Sequence, residues 1–244
     1  MRGCNLRCPY CYNTELVEAS EASQAQDAGA RAGRDQPLFV PIQDVLAHLK
    51  KRANVLSGFV ISGGEPLLHP DVVRQLILEA RALGYKIKLD TNGMFPDRLQ
   101  KLLDDSAARP DYVALDVKTS PALYKDLQAQ DAGNKNRLQA QEAAAKSLPC
   151  DSLSEKIMRS IKLVSALPAD AREFRTVLYP PLVGRAEIEE IAALLPADAR
   201  WYFARFQNSH CLSAAAEKVQ PYTEAEEAAL AALAQKTISG AELR

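Results

Sequence analysis

Three of the five cysteines of this 244-residue chain stand at positions 4, 8 and 11, within "GCNLRCPYC". Thiolates are soft ligands, and a C-x3-C-x2-C spacing lets one short loop present three of them together, which suits zinc or an iron-sulfur cluster. A structural zinc site requires a fourth protein ligand. Cys150, Cys211, His48, His69 and His210 are the remaining candidates; none has a partner at ligand spacing, and Cys150 falls in a polar stretch. Three ligands without a fourth leave a metal position open, and an open position is where a small molecule binds and reacts.

A second set of reactive residue types sits at the ends of apolar runs. "GFVIS" (58–62) stops at Gly63, Gly64 and Glu65; "KIKLD" leads into Asp90, Thr91 and Asn92 of "LDTNG"; "YVALDVK" ends in Asp116 and Lys118; "EFRTVL" carries Arg175; "WYFARF" stops before Gln207. Glycine lacks a Cβ, so the backbone at this strand end can come close to a ligand. A carboxylate such as Glu65 accepts charge-assisted bonds from an ammonium group. Taken singly, each has a plainer reading: Gly-Gly and Asn-Gly as turns, Asp-Lys as solvated surface charge. Their recurrence at successive run ends favours a shared site.

The runs are short, apolar and rich in β-branched residues, as buried parallel strands are. Between them the spacing turns helical. Ile42, Val45, Leu46 and Leu49 share one face after Pro41; Val73, Leu76, Ile77 and Ala80 share another between Pro70 and Gly84; further helices are predicted near 96–104, 154–167 and 185–195. Thr223 and Glu226 have capping-box spacing at the head of a last helix over 223–236. Such alternation implies an α/β fold with parallel strands and right-handed crossovers, and a parallel barrel brings residues at the C-terminal strand ends to one mouth. Two polar, Ala/Gln-rich stretches, 18–37 and 125–153, read as flexible surface insertions in a single domain spanning 1–244.

Thirty basic against thirty-one acidic residues leave a net charge of -1, which offers no electrostatic case for nucleic acid or a membrane surface as partner. No charged segment followed by an apolar one opens this sequence and no run of about 18 apolar residues occurs in it, so neither secretion nor membrane insertion is expected. The expected compartment is the cytoplasm, where thiols stay reduced.

"GCNLRCPYC" together with "ISGGEPLLHPD" resembles the radical S-adenosylmethionine superfamily. The resemblance implies that Cys4, Cys8 and Cys11 ligate a 4Fe-4S cluster whose free iron is chelated by the cofactor's amino and carboxylate groups. Tyr10 is then expected to border the adenine, and Gly63, Gly64 and Glu65 to meet the ammonium end. The implied chemistry is one-electron cleavage of the sulfonium to methionine and a 5'-deoxyadenosyl radical, which abstracts a hydrogen atom.

"LDTNG", "LDVK" and "FRT" narrow the resemblance, over most of residues 2–208, to the activating enzymes of glycyl radical enzymes. It is strongest to those that serve anaerobic ribonucleotide reductase, with the pyruvate formate-lyase activator a near relative. This implies Asp90, Thr91 and Asp116 beside the cofactor's carboxylate, able to hold a monovalent cation, with Asn92, Lys118 and Arg175 in the same region. Gln207 stands where the pyruvate formate-lyase activator would have a histidine, which tilts the resemblance toward the reductase branch. The implied partners are a glycyl radical enzyme, whose glycine Cα-H is the substrate, and a flavodoxin or ferredoxin electron donor.

The family fold implied is a partial (β/α)6 TIM-like barrel with an apolar strand ahead of the cluster loop. Only Met1, Arg2 and Gly3 stand there, so the expectation is a barrel missing its first strand, with the edge of "GFVIS" unpaired. Two other readings stay open: a small-molecule radical enzyme such as 7-carboxy-7-deazaguanine synthase, and a non-catalytic metal-binding protein.

Overall fold

A computed structural model describes residues 1–17, 40–127 and 152–244. Six strands form one all-parallel sheet in chain order: β1 (Gly58–Ile61), β2 (Lys86–Thr91), β3 (Tyr112–Asp116), β4 (Arg172–Leu178), β5 (Trp201–Arg205) and β6 (Ala241–Leu243). The helices are α1 (Thr14–Val17), α2 (Ile42–Arg52), α3 (Pro70–Ala82), α4 (Pro96–Asp104), α5 (Leu153–Ser165), α6 (Arg185–Leu194) and α7 (Glu224–Gln235). This is the α/β architecture expected of the partial barrel.

Local chemistry explains the helix starts. Pro70 and Pro96 open α3 and α4, where a missing N–H costs nothing. Ser152 with Glu155, and Thr223 with Glu226, form reciprocal capping boxes at α5 and α7. The strands then sort their side chains by period two. Leu89, Leu115, Phe174, Trp201 and Phe203 are buried with Ile77, Leu99, Ile161 and Ile188 of the helices in one core. Lys88, Asp90, Tyr112, Asp116, Glu173 and Arg175, on the alternate positions, make a polar inner face. Within the core the Trp201 indole donates to the Thr176 hydroxyl at 2.9 Å, and that hydroxyl donates to the Val117 carbonyl at 2.7 Å.

Three features depart from the sequence expectation or refine it. The sixth strand is β6, a three-residue segment after α7 that carries no apolar run and so gave no periodic signal. Its position is fixed by partners instead: the Arg244 amide donates to the Phe203 carbonyl at 2.8 Å, and the Arg244 guanidinium lies 3.2 Å over the Tyr202 ring. At the other side β1 is the last strand in the order, and Val60 on it is 51% exposed. Met1 and Gly3 run beside the residues just past β1. The Met1 ammonium donates to the Ser62 carbonyl (2.7 Å), Gly64 N to Met1 O (2.9 Å) and Glu65 N to Gly3 O (2.8 Å).

The stretch 18–37 lies outside the described residues, as do 128–151 of the second polar stretch. That second stretch is narrower than expected at both ends, because residues 125–127 complete a 3-10 turn (Pro121–Leu127) and Ser152 caps α5. Among the described residues no helix is long and apolar enough to cross a membrane.

Candidate active site

The cysteine loop is docked by close backbone contact as well as by Leu6 and Tyr10, which are buried in the core. A Cβ on Gly63 would lie 2.1 Å from the Met1 carbonyl oxygen, and one on Gly64 would lie 2.0 Å from that of Gly3. Only glycine leaves this space, and Gly63 also sits at φ +142°. Where the sequence reading expected a ligand against these glycines, the close approach is made by the chain's own first residues, which deliver Cys4 to the end of β1. Arg7 adds a clamp, donating from one guanidinium nitrogen to the carbonyls of Cys4 (2.7 Å) and Leu6 (3.0 Å), while its amide donates to Leu127 O (2.8 Å). On the opposite side Ser213 N donates to Pro9 O at 3.0 Å. The Tyr12 hydroxyl donates to Gln207 O (3.0 Å) and accepts from Gln207 N (2.6 Å). The Gln207 side chain is exposed, so its backbone, not its amide group, touches the loop.

All four described cysteines are free thiols, with Cys8 buried and Cys4 and Cys11 partly so. Burial raises the Cys4 thiol and pushes that of Cys8 up to about 12, with the Lys118 charge opposing it in both cases. Thiolates here therefore need a cation of their own, which a metal centre provides. Among the described residues no three His, Cys, Asp or Glu side chains stand close enough to hold a single metal ion. His48 and His210 are exposed, His69 Nε2 lies 3.1 Å from the Arg2 carbonyl, and Cys150 is outside the described residues. A preassembled mononuclear zinc site is thus absent from the described residues. A 4Fe-4S cluster binds each thiolate to a different iron, so its ligands need not meet at one point, and the donor set fits it.

Glu65 is the brace between the loop and the sheet. It is fully buried, and its carboxylate accepts from Leu67 N (2.9 Å), the Thr91 hydroxyl (2.8 Å) and Asn92 N (2.7 Å). Burial pushes its pKa up to about 7, with the three donors pulling back. Both oxygens are engaged by protein, as is the Thr91 hydroxyl, so these two side chains hold the ends of β1 and β2 together. Asn92, 5% exposed, stands next to them: its side-chain oxygen accepts from Met94 N (3.0 Å), and its nitrogen faces Asn5 Oδ1 (3.0 Å) and Cys4 Sγ (3.7 Å).

The remaining strand-end residues form an ionic lattice. Register places Asp116 directly opposite Arg175. Arg175 Nε donates to Asp116 Oδ1 (2.8 Å) and its NH1 to Asp90 Oδ2 (3.1 Å), while Lys118 Nζ donates to Asp116 Oδ2 (2.9 Å). Lys88 extends the lattice to Glu173 (2.8 Å), whose other oxygen accepts from Tyr112 at 3.0 Å. Burial would raise Asp116, but the charges of Lys118 and Arg175 outweigh it and hold the carboxyl below its ordinary value. Asp116 in turn outweighs the burial that would neutralise Lys118, so that ammonium stays charged. Asp90 Oδ1 is buried without a hydrogen-bond partner, the nearest charge being Lys88 Nζ at 3.8 Å.

Tyr10 is 3% exposed, its ring 5.0 Å from that of Tyr179, which packs edge-on against Phe206 at 4.8 Å. Its ring is thus committed to the core, while its hydroxyl is buried without a hydrogen-bond partner.

The structure also brings in residues that sequence reasoning passed over. Tyr124 accepts from Lys118 N at 2.9 Å and fixes the turn that aims Lys118. Lys88 and Glu173 were readable from period two, since they precede Asp90 and Arg175 by two positions. Arg7 lies inside the cysteine motif itself. Nothing local marks Tyr124, whose role depends on tertiary contact.

The sequence profile of the Radical SAM superfamily matches residues 1–154. A Methanocaldococcus jannaschii protein, provisionally named a glycyl-radical enzyme activating enzyme, is 26% identical over 99% of this chain and 85% of its own length. The 7-carboxy-7-deazaguanine synthase of Methanopyrus kandleri is 33% identical over 48% of this chain and 46% of its own. Streptococcus suis SuiB, solved with S-adenosylmethionine, superposes on 99% of this chain and 47% of its own, with a TM-score of 0.57 and 17% identity, a likeness of fold.

Proposed function

We propose, from the premise that the chain belongs to the Radical SAM superfamily, that it is an activating enzyme which takes a hydrogen atom from a glycine Cα of a partner protein. In this family a 4Fe-4S cluster with S-adenosylmethionine supplies the one-electron chemistry that ends in hydrogen abstraction. Cys4, Cys8 and Cys11 hold the cluster. Asp90, Asp116, Lys118 and Arg175 present both signs of charge to the cofactor's amino and carboxylate groups, while Gly63, Gly64, Glu65, Thr91 and Asn92 fix the loop from behind. Arg175, which already bridges Asp90 and Asp116, neutralises the carboxylates that a monovalent cation would otherwise share.

The observation that carries this reading is that Met1 and Gly3 dock the cysteine loop just past the end of β1 while Asn92, just past the end of β2, stands 3.7 Å from Cys4 Sγ, so thiols and strand-end residues serve one mouth. The near full-length match to the Methanocaldococcus jannaschii protein supports a protein substrate. Anaerobic ribonucleotide reductase is the partner we favour, with a flavodoxin or ferredoxin as electron donor and the cytoplasm as compartment. The test is anaerobic mixing of this protein, cofactor and reductant with that reductase, followed by electron paramagnetic resonance. A glycyl radical on the reductase is expected; one that forms only on pyruvate formate-lyase would reassign the partner. The deazaguanine synthase match favours a second reading, turnover of a small molecule, which cofactor cleavage without a radical on any protein would support.

A further inference from the structure

Asn92 is held by more bonds than a turn residue needs. Its backbone N–H donates to Glu65 Oε2 at 2.7 Å, which ties it to the brace. The Met94 amide, 3.0 Å from the side chain, can only donate, so the atom facing it is the carbonyl oxygen. The amide nitrogen is thereby turned the other way, toward the cysteine loop. Of its two hydrogens one meets Asn5 Oδ1 at 3.0 Å, and the nitrogen stands 3.7 Å from Cys4 Sγ. Asn92 is 5% exposed and Glu65 fully enclosed, so the donor is held on a buried support while Cys4 itself is partly buried.

We infer that Asn92 sets the reduction potential of the iron-sulfur centre by donating an N–H···S hydrogen bond to the Cys4 thiolate. The inference rests on the proposed cluster-binding role of Cys4. Hydrogen bonds to the sulfurs are among the factors that fix cluster potentials. A donor to a ligating sulfur stabilises the extra negative charge of the reduced state, so removing it makes reduction harder. Asn92 is a positioning residue here, since it neither ligates metal nor touches substrate. The need for the Glu65 brace follows from this: Glu65 fixes the Asn92 backbone, and Asn92 fixes the sulfur.

The test is a potentiometric titration, monitored by electron paramagnetic resonance, of the anaerobically reconstituted wild type, Asn92→Leu and Asn92→Asp. Asn92→Asp keeps the oxygen that caps Met94 but loses the donor; Asn92→Leu loses the donor without adding charge. Both variants are expected to keep the wild-type iron and sulfide content. Both should also need a more negative potential, with the ratio of reduced to oxidised cluster at a fixed potential falling roughly tenfold, about 59 mV for a one-electron couple. An unchanged midpoint in Asn92→Leu, or a shift confined to Asn92→Asp, would show that charge rather than the hydrogen bond acts, and would overturn the inference. Loss of the cluster from both variants would overturn it too, by making Asn92 part of the binding site. A wild type that takes up no iron and sulfide would instead defeat the underlying reading of the three cysteines.

Discussion

The two halves of the mouth are built from opposite materials. Around the cysteine loop, contacts run mostly through the backbone, with the Arg7 guanidinium and the Met1 ammonium donating to carbonyls, neutral amides and one enclosed carboxyl: Met1 and Gly3 against Gly63 and Gly64, Asn92 against Cys4, Glu65 against Thr91. Beyond it lies a lattice of full charges, Asp90, Arg175, Asp116 and Lys118, continued by Lys88 and Glu173. A centre carrying anionic thiolates gains from donors that fix the sulfurs without adding charge, whereas a zwitterionic ligand is recognised by paired charges. The difference predicts that the halves fail separately.

The largest effect should come from the cysteines. Cys4→Ala, Cys8→Ala or Cys11→Ala should abolish cluster uptake, seen as loss of iron, sulfide and the visible absorption band. An intact cluster in any of them would break the assignment of this half.

Next in size is Lys118→Met, which removes one side of the Asp116 pair. Hydrogen bonds to charged groups contribute about 1.5–3 kcal/mol, so S-adenosylmethionine affinity should fall roughly tenfold or more by equilibrium dialysis, with cluster content unchanged. Parallel loss of cluster and cofactor would mean that the halves are not separable.

Gly64→Ala probes the seam, because its methyl group would meet the Gly3 carbonyl at 2.0 Å. Forcing the segments apart should cost about 1–3 kcal/mol in denaturant unfolding, and the cysteine loop should become protease-sensitive.

A smaller, pH-dependent effect marks the brace. Glu65 has its folded pKa raised to about 7 from an ordinary 4.5, so the folded state binds the extra proton between those values. Its contribution is fully present below pH 4.5 and is lost as pH rises through about 7, with a slope of at most about 1.4 kcal/mol per unit. The stability gap between wild type and Glu65→Gln should therefore narrow from pH 5 to pH 8. A gap that widens would place a charged carboxylate there at all pH values.

The sequence carries strands β1 to β5 and helices α2 to α7 plainly, because each buries one face and the burial leaves a period. The α7 cap at Thr223 was readable to the residue, since a capping box is local. The cysteine triad and the strand-end acids were legible for the same reason: motif and strand end are short-range features. What stayed hidden depends on distance in the chain. Glu65 looks like a free acceptor until Thr91 and Asn92, 26 and 27 residues away, fill both its oxygens. The glycine pair looks open until Met1 and Gly3 occupy it. Asp90 and Asp116 look like two separate acids until the β3–β4 register inserts Arg175 between them. Strand β6 is short and held by Arg244 and the Trp201 backbone, which no periodicity reports.

The central claim is that three thiols and a charged lattice form one site for a cluster and its cofactor. It is tested most directly by anaerobic reconstitution, iron and acid-labile sulfide analysis, and electron paramagnetic resonance of the reduced protein before and after S-adenosylmethionine. Iron and sulfide in equal amounts are expected, with a cluster signal that changes when the cofactor is added. Zinc without sulfide, or a cluster signal indifferent to the cofactor, would contradict it.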